Sequence, residues 1–305
     1  MTATESILQT PQTIRIFCED WPDYELLDSG QGQKLERFGP YIVARGEAKA
    51  WWTPDLPQKD WARAVAFHSG EENTAWTLHQ AVPREWLVRI ENLTIQARFL
   101  GASKHIGIFP EKITHWRWLA EQISTAKINF GTPHVQVLNL FGYTGIASLV
   151  AAAGGAHVTH VDSAKGVVTW ARYNQQLSGL DKLPIRWIVD DAVKFVQRES
   201  RRNKRYDIII LDPPAFGRGP KNEIWKIEDQ LPGLLADCRA VLSDAALFVL
   251  LTMYSINQSA LLLGNLLQDM MRGAGGAIDV GELCLKPKAS PKLLAMSHFG
   301  RWTAR

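Results

Sequence analysis

A long uncharged stretch in the middle of the chain limits the folds that it can adopt more than any other feature. Residues 128–161 contain no Asp, Glu, Lys or Arg, although 21% of the whole sequence is charged. Glycine, proline, histidine and asparagine interrupt this stretch, so it lacks the run of about 20 apolar residues that a membrane-spanning helix requires. Uncharged apolar strands are instead typical of a parallel sheet that helices cover on both faces. We therefore expect a buried β-α-β unit and no association with a membrane.

The pattern after residue 112 continues this unit as alternating helices and strands. In chain order the sequence predicts helix 113–126, strand 135–140, helix 146–153, strand 157–161, helix 165–177, strand 185–189, helix 192–198, strand 207–211, helix 227–242, strand 247–251, helix 258–271 and strands 280–285 and 293–299. The last two strands lie too close in sequence for a helical crossover, so we expect the final strand to run antiparallel. These elements predict an α/β fold with one large sheet.

The first hundred residues follow a different pattern. Short apolar runs alternate with turn residues, the runs lying at 13–17, 24–27, 41–45, 64–67, 76–78 and 86–90. This predicts a small, mostly antiparallel β domain over residues 1–105, followed by a second domain over residues 106–305. Six of the 12 tryptophans belong to the first domain, namely Trp21, Trp51, Trp52, Trp61, Trp76 and Trp86. We favour a role in the core of this domain over the alternative of a base-stacking surface.

Charge and cysteine content exclude some classes of protein and leave others open. The chain has 34 basic and 31 acidic residues, a net charge of +3, which permits a polyanionic partner without requiring one. Basic residues cluster at 198–205 and 286–292, although most such clusters are simply solvated. The cysteines, Cys18, Cys238 and Cys284, are odd in number and far apart. This pattern excludes a disulfide scaffold and fits a reducing compartment.

Two further patterns concern location and metal binding. The N-terminus has no basic segment followed by an apolar one, so we expect no secretory signal and a cytoplasmic protein. The histidines in the region of the sheet lack acidic or cysteine partners at the spacing of metal ligands. We therefore expect no metal.

A glycine-containing turn follows the first predicted strand of the sheet. Gly142 and Gly145 lie between strand 135–140 and the next helix, where small residues let a ligand approach the free N–H groups of the helix N-terminus. Asp162, at the end of the second strand, is placed to accept hydrogen bonds from ribose hydroxyls. Asp191, at the end of the third strand, can accept from an adenine amino group, with helix N-capping as the alternative. Together these residues predict a site for a nucleoside-containing cofactor.

The fourth strand ends in a second motif, Asp212-Pro213-Pro214-Ala215-Phe216. Two prolines stiffen this loop and remove two N–H donors. The backbone at these two residues therefore offers carbonyl acceptors but no donors. A carboxylate and an aromatic ring beside these carbonyls favour a pocket for a planar nitrogenous group. The glycine turn satisfies only part of the dinucleotide pattern G-x-G-x-x-G, which argues against a nicotinamide cofactor.

These motifs resemble those of the class I S-adenosylmethionine-dependent methyltransferases. The segments Asn139-Leu140-Phe141-Gly142-Tyr143-Thr144-Gly145 and Asp212–Phe216 are similar to the N-x-F-x-Y-T-G and D-P-P-x-F signatures of the bacterial large-subunit ribosomal RNA methyltransferases. Residues 104–111, which include Phe109, are similar to that family's segment beside the cofactor. The resemblance implies a Rossmann-like sheet of seven strands with an antiparallel last strand, S-adenosylmethionine as the cofactor, and RNA as the partner.

The resemblance also implies roles for individual residues. Residues expected to bind the cofactor are Phe109, Asn139, Phe141, Gly142, Tyr143, Thr144, Gly145, Asp162, Ser163, Asp191, Ala192 and Asp212. Of these, 141–145 would border its methionine end, Asp162 its ribose, and Asp191 and Ala192 its adenine edge. Residues expected to act at the acceptor are Asp212, Pro213, Pro214, Phe216 and Tyr254.

The kind of acceptor follows from the positions of the cysteines. Methylation of carbon 5 of cytosine requires a cysteine nucleophile after the fourth or fifth strand, and no cysteine lies there. Covalent methylation of cytosine is therefore disfavoured, and we expect direct transfer to a nitrogen atom. The resemblance and the basic clusters imply that this nitrogen belongs to a base of RNA, with ribosomal RNA as the substrate. Asp212 would orient the acceptor, Phe216 would stack on a base or belong to the core, and Tyr254 would close the pocket. A protein or small-molecule acceptor, and a non-catalytic RNA-binding module, remain the alternatives.

Overall fold

A computed structural model describes residues 12–18, 21–71, 73–101, 103–130, 134–254, 258–288 and 290–304. The strands are β1 (Gln12–Cys18), β2 (Tyr24–Gly30), β3 (Gln33–Phe38), β4 (Tyr41–Gly46), β5 (Ala66–His68), β6 (Thr77–Leu78), β7 (Glu85–Ile90), β8 (Leu93–Arg98), β9 (Gln136–Leu140), β10 (His157–Asp162), β11 (Ile185–Val189), β12 (Ile208–Leu211), β13 (Phe216–Arg218), β14 (Ile224–Lys226), β15 (Phe248–Met253), β16 (Ala277–Leu285) and β17 (Leu294–Thr303). The helices are α1 (Gln58–Trp61), α2 (Ile113–Phe130), α3 (Ile146–Ala153), α4 (Lys165–Leu177), α5 (Ala192–Arg201), α6 (Ile227–Val241) and α7 (Ala260–Met270).

The large sheet has the strand order β1-β16-β17-β15-β12-β9-β10-β11. Strand β17 runs antiparallel to both of its neighbours, and the other pairs are parallel. Strands β12 and β15 are buried along their whole length, because helices cover both faces of the sheet. Helix α5 shows the matching pattern, burying Ala192, Phe195, Val196 and Glu199 on one face. The predicted seven-stranded sheet with its antiparallel last strand is confirmed, and one further strand extends it.

That further strand is β1, which we expected in the small N-terminal domain. It pairs instead with β16 in parallel, so that Gln12 lies opposite Asp279 and Cys18 lies opposite Leu285. An alternating apolar run predicts a strand but does not determine its partner, and here the free edge of β16 is the partner. The boundary at residue 105 stays a prediction.

The rest of the N-terminal region forms a β-rich unit. A five-stranded sheet has the order β2-β3-β4-β5-β6, and strands β7 and β8 form a separate hairpin. Strands β3 and β8 and the hairpin β13-β14 were missing from the sequence prediction. Trp21 and Trp86 are buried in the core, as expected. Trp51 departs from that expectation with 87% of its surface exposed, because residue type alone does not determine which tryptophan faces solvent.

The arrangement of parallel strands positions the candidate site. Strand β9 lies between β10, which follows it through α3, and β12, which the chain reaches only after β11. The carboxyl ends of β9, β10, β12 and β15 therefore meet at one edge of the sheet, around the point where the strand order reverses. Ligands of open α/β sheets bind at this point. The first motif covers the end of β9 and the turn after it, Asp162 is the last residue of β10, and the second motif follows β12.

Several expectations concern residues outside this edge. No helix among the described residues is long and apolar enough to cross a membrane. Residues 1–11 and 131–133, which belong to the predicted N-terminus and to the uncharged stretch, lie outside the described residues. Cys18, Cys238 and Cys284 are all buried, and burial raises the pKa of the Cys238 thiol.

Replacement of Gly281 by alanine tests the pairing of β1 with the large sheet. A Cβ at position 281 would lie 1.8 Å from the backbone oxygen of Ile14, so the β1–β16 pair would have to move apart. We expect Gly281→Ala to lower the free energy of unfolding in urea by about 1–3 kcal/mol. Gly233→Ala is the control, since no atom would lie within 4 Å of a Cβ added there in helix α6, and it should be neutral or stabilising. Unchanged unfolding of Gly281→Ala would contradict the pairing.

Candidate active site

The turn after β9 adopts an uncommon backbone conformation. Phe141 and Tyr143 have φ angles of 55° and 50°, and Gly145 has a φ of 85°. Left-handed φ angles at two non-glycine residues are held only where the surroundings enforce them, and such positions cluster at functional sites. Gly142 itself leaves no room for a side chain, because a Cβ there would lie 2.4 Å from the ring of His160. The turn therefore packs directly onto β10.

A buried chain of polar side chains supports the turn from below. The amide of Asn139 donates to the Ser148 hydroxyl at 2.9 Å, and that hydroxyl lies 3.0 Å from Nδ1 of His160. Burial lowers the pKa of His160 to about 3, so its ring is neutral. Asn139, which we expected to bind the cofactor, thus uses its amide to connect β9, α3 and β10.

Asp162 fixes the turn from the end of β10. Its two carboxylate oxygens accept from the backbone N–H groups of Tyr143 at 3.0 Å and Ala164 at 2.9 Å. Burial raises the pKa of Asp162, and these backbone hydrogen bonds oppose the shift. A carboxylate offers about four acceptor positions, so the same group can also accept from ribose hydroxyls. The following Ser163 contributes its backbone N–H to this carboxylate.

The segment before α2 packs against the other side of the turn. The Thr144 hydroxyl donates to the carbonyl of Gly107 at 2.7 Å. Gly107 has a φ of 96°, and a Cβ there would lie 2.4 Å from the ring of Trp170. This close packing places the ring of Phe109 with its centre 5.5 Å from that of Tyr143. The sequence-predicted segment and the glycine turn are thus brought together.

Asp212 is held from two sides at the end of β12. The Thr252 hydroxyl donates to Oδ1 at 2.5 Å, and the Lys112 ammonium forms an ion pair with Oδ2. Burial lowers the pKa of Lys112, and the Glu111 carboxylate opposes this shift. Both Lys112 and Thr252 were missed in the sequence analysis. Lys112 directly follows the family-like segment 104–111, and Thr252 directly follows predicted strand 247–251, which were the available signals.

The two prolines after Asp212 lead into the hairpin β13-β14. The Pro214 carbonyl accepts from the indole N–H of Trp225 at 2.7 Å, so this carbonyl is already engaged. One of the carbonyl acceptors that the motif predicted for the pocket is therefore not available to a ligand. Phe216 begins the hairpin and is 55% exposed, so the alternative that it belongs to the core is wrong. Pro213 is buried, and neither proline lines the cavity beside Asp212.

Asp191 caps helix α5, as the alternative interpretation proposed. Its side chain accepts from the backbone N–H of Lys194 at 2.9 Å. Ala192, the first residue of the helix, is buried. The cap uses only Oδ1 of Asp191, so Oδ2 can still accept a hydrogen bond. The contact of Asp191 with adenine stays a prediction.

A narrow cavity of about 60 Å³ brings many of these residues together. Its lining from the predicted site consists of Phe109, Asn139, Phe141, Gly142, Tyr143, Thr144 and Asp212. Lys112, His115 and Thr252 complete its polar lining. Gly145, Asp162, Ser163, Asp191, Ala192, Phe216 and Tyr254 do not line it. The ring of Tyr254 instead packs against Phe109, with 5.5 Å between the ring centres.

The chemistry of this cavity suits the amino-acid end of S-adenosylmethionine. Helix α3 begins at Ile146, and its N-cap residue Gly145 has no side chain to cap it, so its N-terminus favours an anionic carboxylate. Within the described part of the chain, neither ring nitrogen of the buried His115 has a hydrogen-bond partner. Buried polar atoms of this kind require one, and a ligand's polar groups can provide it.

Comparison with known proteins identifies the class of enzyme. Residues 60–260 match the S-adenosylmethionine-dependent methyltransferase family. The chain belongs to this family, and S-adenosylmethionine is its cofactor. The predicted class of enzyme and its cofactor are thus confirmed.

Particular relatives place the chain within this class. It is 33% identical over 240 residues to the ribosomal RNA large subunit methyltransferase K/L of Alteromonas mediterranea, which covers 75% of this chain and 33% of that protein. The corresponding Hahella chejuensis protein is 37% identical over 114 residues, 37% of this chain and 15% of that protein. The chain thus spans a third or less of these relatives.

Solved structures show the same fold over a larger share of the chain. The SAM-dependent methyltransferase from Agrobacterium tumefaciens is 43% identical with a TM-score of 0.94, covering 100% of this chain and 98% of that one. A Streptococcus mutans protein shares the fold at 18% identity, with a TM-score of 0.68 over 92% and 75% of the two chains. Among the residues described here, no group of three or more His, Cys, Asp or Glu side chains is arranged to hold a metal ion.

Replacement of Gly142 tests the close packing of the turn. The Cβ of Gly142→Ala would displace the turn from His160 and should weaken binding of S-adenosylhomocysteine by about tenfold or more. Gly166→Ala is the matched control, because nothing lies within 4 Å of its added Cβ. Isothermal titration calorimetry on both variants measures the effect. Equal affinity of Gly142→Ala and the unmodified enzyme would show that the turn tolerates displacement.

Proposed function

We propose that this enzyme transfers the methyl group of S-adenosylmethionine to a nitrogen atom of a base in RNA, with ribosomal RNA as the substrate. The observation that carries the proposal is the Asp212 carboxylate, held by Lys112 and Thr252 beside the cofactor turn. The names of the relatives from Alteromonas and Hahella support an RNA substrate. A cytoplasmic location fits this substrate.

In this proposal the turn 141–145 and the N-terminus of α3 hold the methionine end of the cofactor. Asp162 accepts from the ribose hydroxyls with the acceptor positions that its backbone hydrogen bonds leave open. Asp191 and Ala192 lie at the start of α5, at the same edge of the sheet, and contact the adenine. Each contact uses the carboxyl end of a different parallel strand.

Asp212 accepts a hydrogen bond from the N–H group of the acceptor base and so orients its nitrogen. The nitrogen lone pair forms the new bond to the methyl carbon while the bond from that carbon to the sulfonium sulfur breaks. The proton then leaves the product nitrogen for water. Such an in-line transfer depends on alignment more than on a strong base.

No cysteine of the chain fits a covalent alternative. Cys238 is buried within helix α6, and burial raises the pKa of its thiol, which disfavours the nucleophilic thiolate. Cys284 is buried in strand β16. Cys18 is also buried, and its thiol donates to the carbonyl of Pro110 at 3.1 Å. Direct transfer to nitrogen therefore remains the proposal.

The exposed hairpin β13-β14 is the proposed contact for RNA next to Asp212. Phe216 and Ile224 expose 55% and 54% of their surfaces on it. The basic cluster at 198–205 is less suitable. Arg198 pairs with Asp190, and Lys204 and Arg205 lie near His157, at the amino end of β10 and away from the site.

Substitution of Asp212 tests the proposed function. Asp212→Ala should lower the rate of methyl transfer by about 100-fold, because the acceptor loses its orientation. The assay follows transfer from radiolabelled S-adenosylmethionine to total RNA from cells that lack this protein. Asp212→Asn is the second variant, since it preserves size while removing the charge that pairs with Lys112.

Calorimetry with S-adenosylhomocysteine serves as the control for folding and cofactor binding. An affinity that stays unchanged while methyl transfer is lost supports the acceptor role of Asp212. Loss of cofactor binding would instead assign Asp212 to the cofactor. Absence of label in any RNA, despite cofactor binding by the unmodified enzyme, would contradict the RNA substrate and favour a protein or small-molecule acceptor.

Thr252→Val tests the positioning of the Asp212 carboxylate. The variant keeps the shape of the side chain but removes the 2.5 Å hydrogen bond, so Asp212 can rotate. We expect kcat to fall by about tenfold, while KM for S-adenosylmethionine stays unchanged. Thr252→Ser, which retains the hydroxyl, should restore most of the rate. Equal loss in both variants would point to packing rather than the hydrogen bond.

A further inference from the structure

A second and larger cavity, of about 630 Å³, lies between the N-terminal β unit and the large sheet. Its lining residues include Lys34, Arg45, Lys49, Trp51, Lys104, His105, Phe109, Glu111 and Tyr254. We propose that this cavity receives the nucleotide that accepts the methyl group, unstacked from its RNA, and that Trp51 provides the surface on which a base stacks. This inference rests on the proposed function and assigns its substrate pocket.

Phe109 connects this cavity to the cofactor site. It lines both cavities, and its ring centre lies 5.5 Å from those of Tyr143, in the cofactor turn, and Tyr254, in the larger cavity. His105 packs against the same ring at 4.9 Å. Burial lowers the pKa of His105 to about 3, so this aromatic wall carries no charge of its own. A base that enters along this wall approaches the end of the cofactor that Tyr143 borders.

Trp51 has the properties of a ligand contact rather than of a core residue. It exposes 87% of its surface, whereas Trp21 and Trp86 of the same unit are buried. Its indole N–H donates to the carbonyl of Ala48 at 2.5 Å, which fixes the ring beside the cavity. Because this ring stays exposed, it contributes little to the stability of the fold, but it offers a flat face on which a base can stack. Enzymes that modify bases commonly hold an extruded base between aromatic side chains.

The charges around the cavity favour a nucleotide over a neutral acceptor. Four cationic side chains, those of Lys34, Arg45, Lys49 and Lys104, line the cavity together with two carboxylates, those of Glu47 and Glu111. Lys34 is paired with Glu36 and Glu47, and Arg45 is paired with Glu36, inside the N-terminal unit. Lys49 and Lys104 contact carbonyl oxygens instead, so the positive charge offered to a ligand comes mainly from these two lysines. Lys49 is exposed and donates to the carbonyl oxygen of Met296 at 2.7 Å, so it joins the two sides of the cavity at its rim. An ammonium group in this position can contact a phosphate of the RNA backbone.

The volume of the cavity fits one nucleotide. Pockets for small ligands commonly range from about 300 to 1,000 Å³, and this cavity lies within that range. A folded RNA helix could not enter it, so the nucleotide must be unstacked first. Single-stranded or flipped nucleotides are recognised in this way, by aromatic stacking together with contacts to phosphate.

Substitution of Trp51 tests this assignment on the whole chain described here, with cofactor bound. Trp51→Ala should raise KM for RNA by about tenfold or more, because stacking contributes on this scale, and leave KM for S-adenosylmethionine unchanged. Trp51→Phe retains a ring and should recover most of the loss. Leu87→Ala is the matched control, since Leu87 is 51% exposed on the same unit and lines neither cavity. If Trp51→Ala had the same KM for RNA as the unmodified enzyme, the inference would be wrong, while the proposed function would stand.

A binding experiment separates the inference from the proposed function. Saturation-transfer NMR tests the four nucleoside 5′-monophosphates in the presence of S-adenosylhomocysteine. At least one of them should bind the unmodified enzyme, and Trp51→Ala should abolish this binding. If the enzyme methylates no RNA but shows this binding, the proposed function fails and the nucleotide pocket stands. If no monophosphate binds and RNA kinetics do not depend on Trp51, the pocket assignment is wrong.

Discussion

The hydrogen bond that the Asp162 carboxylate accepts from the backbone N–H of Tyr143, in the turn after β9, supports the rest of the site. The chain must leave β9, pass over His160 and enter α3 within five residues, with Phe141 and Tyr143 at left-handed φ angles. Asp162 accepts from the backbone of Tyr143 and so fixes this turn from the neighbouring strand. Strain at such positions costs about 1–3 kcal/mol for each residue, and the surrounding packing must offset it. Without this support the cofactor cavity would lose one wall.

The acceptor side of the site depends on a second contact between distant segments. Lys112 directly precedes α2, Asp212 directly follows β12, and Thr252 lies near the end of β15. Breaking one partner of a buried ion pair is costly, since the remaining charge stays buried and unpaired. This cost restricts the carboxylate to one orientation. The orientation of the Asp212 carboxylate thus depends on two strands of the large sheet, β12 and β15, and on the segment before α2.

The N-terminal β unit completes the arrangement by forming one side of the larger cavity. Lys104 donates to the carbonyl of Gly46 at 2.9 Å, and Lys49 reaches Met296 in β17. These contacts join the unit to the segment before α2 and to the large sheet. Phe109 belongs to that same segment and faces both cavities. The unit therefore forms one side of the proposed route to the cofactor, and its core is continuous with the segment before α2 and with α3.

The sequence by itself determined the alternation of strands and helices, the antiparallel final strand and the positions of the two motifs. Local patterns carry this information, because apolar periodicity, helix caps and turn residues act over a few neighbours. Helices α3 and α4 were predicted to the residue for this reason. Only the tertiary structure decided the partner of β1, the pairing of Lys112 with Asp212 and the exposure of Trp51. Each of these depends on segments far apart in the chain, whose approach is set by the packing of the whole sheet and leaves no local pattern in the sequence.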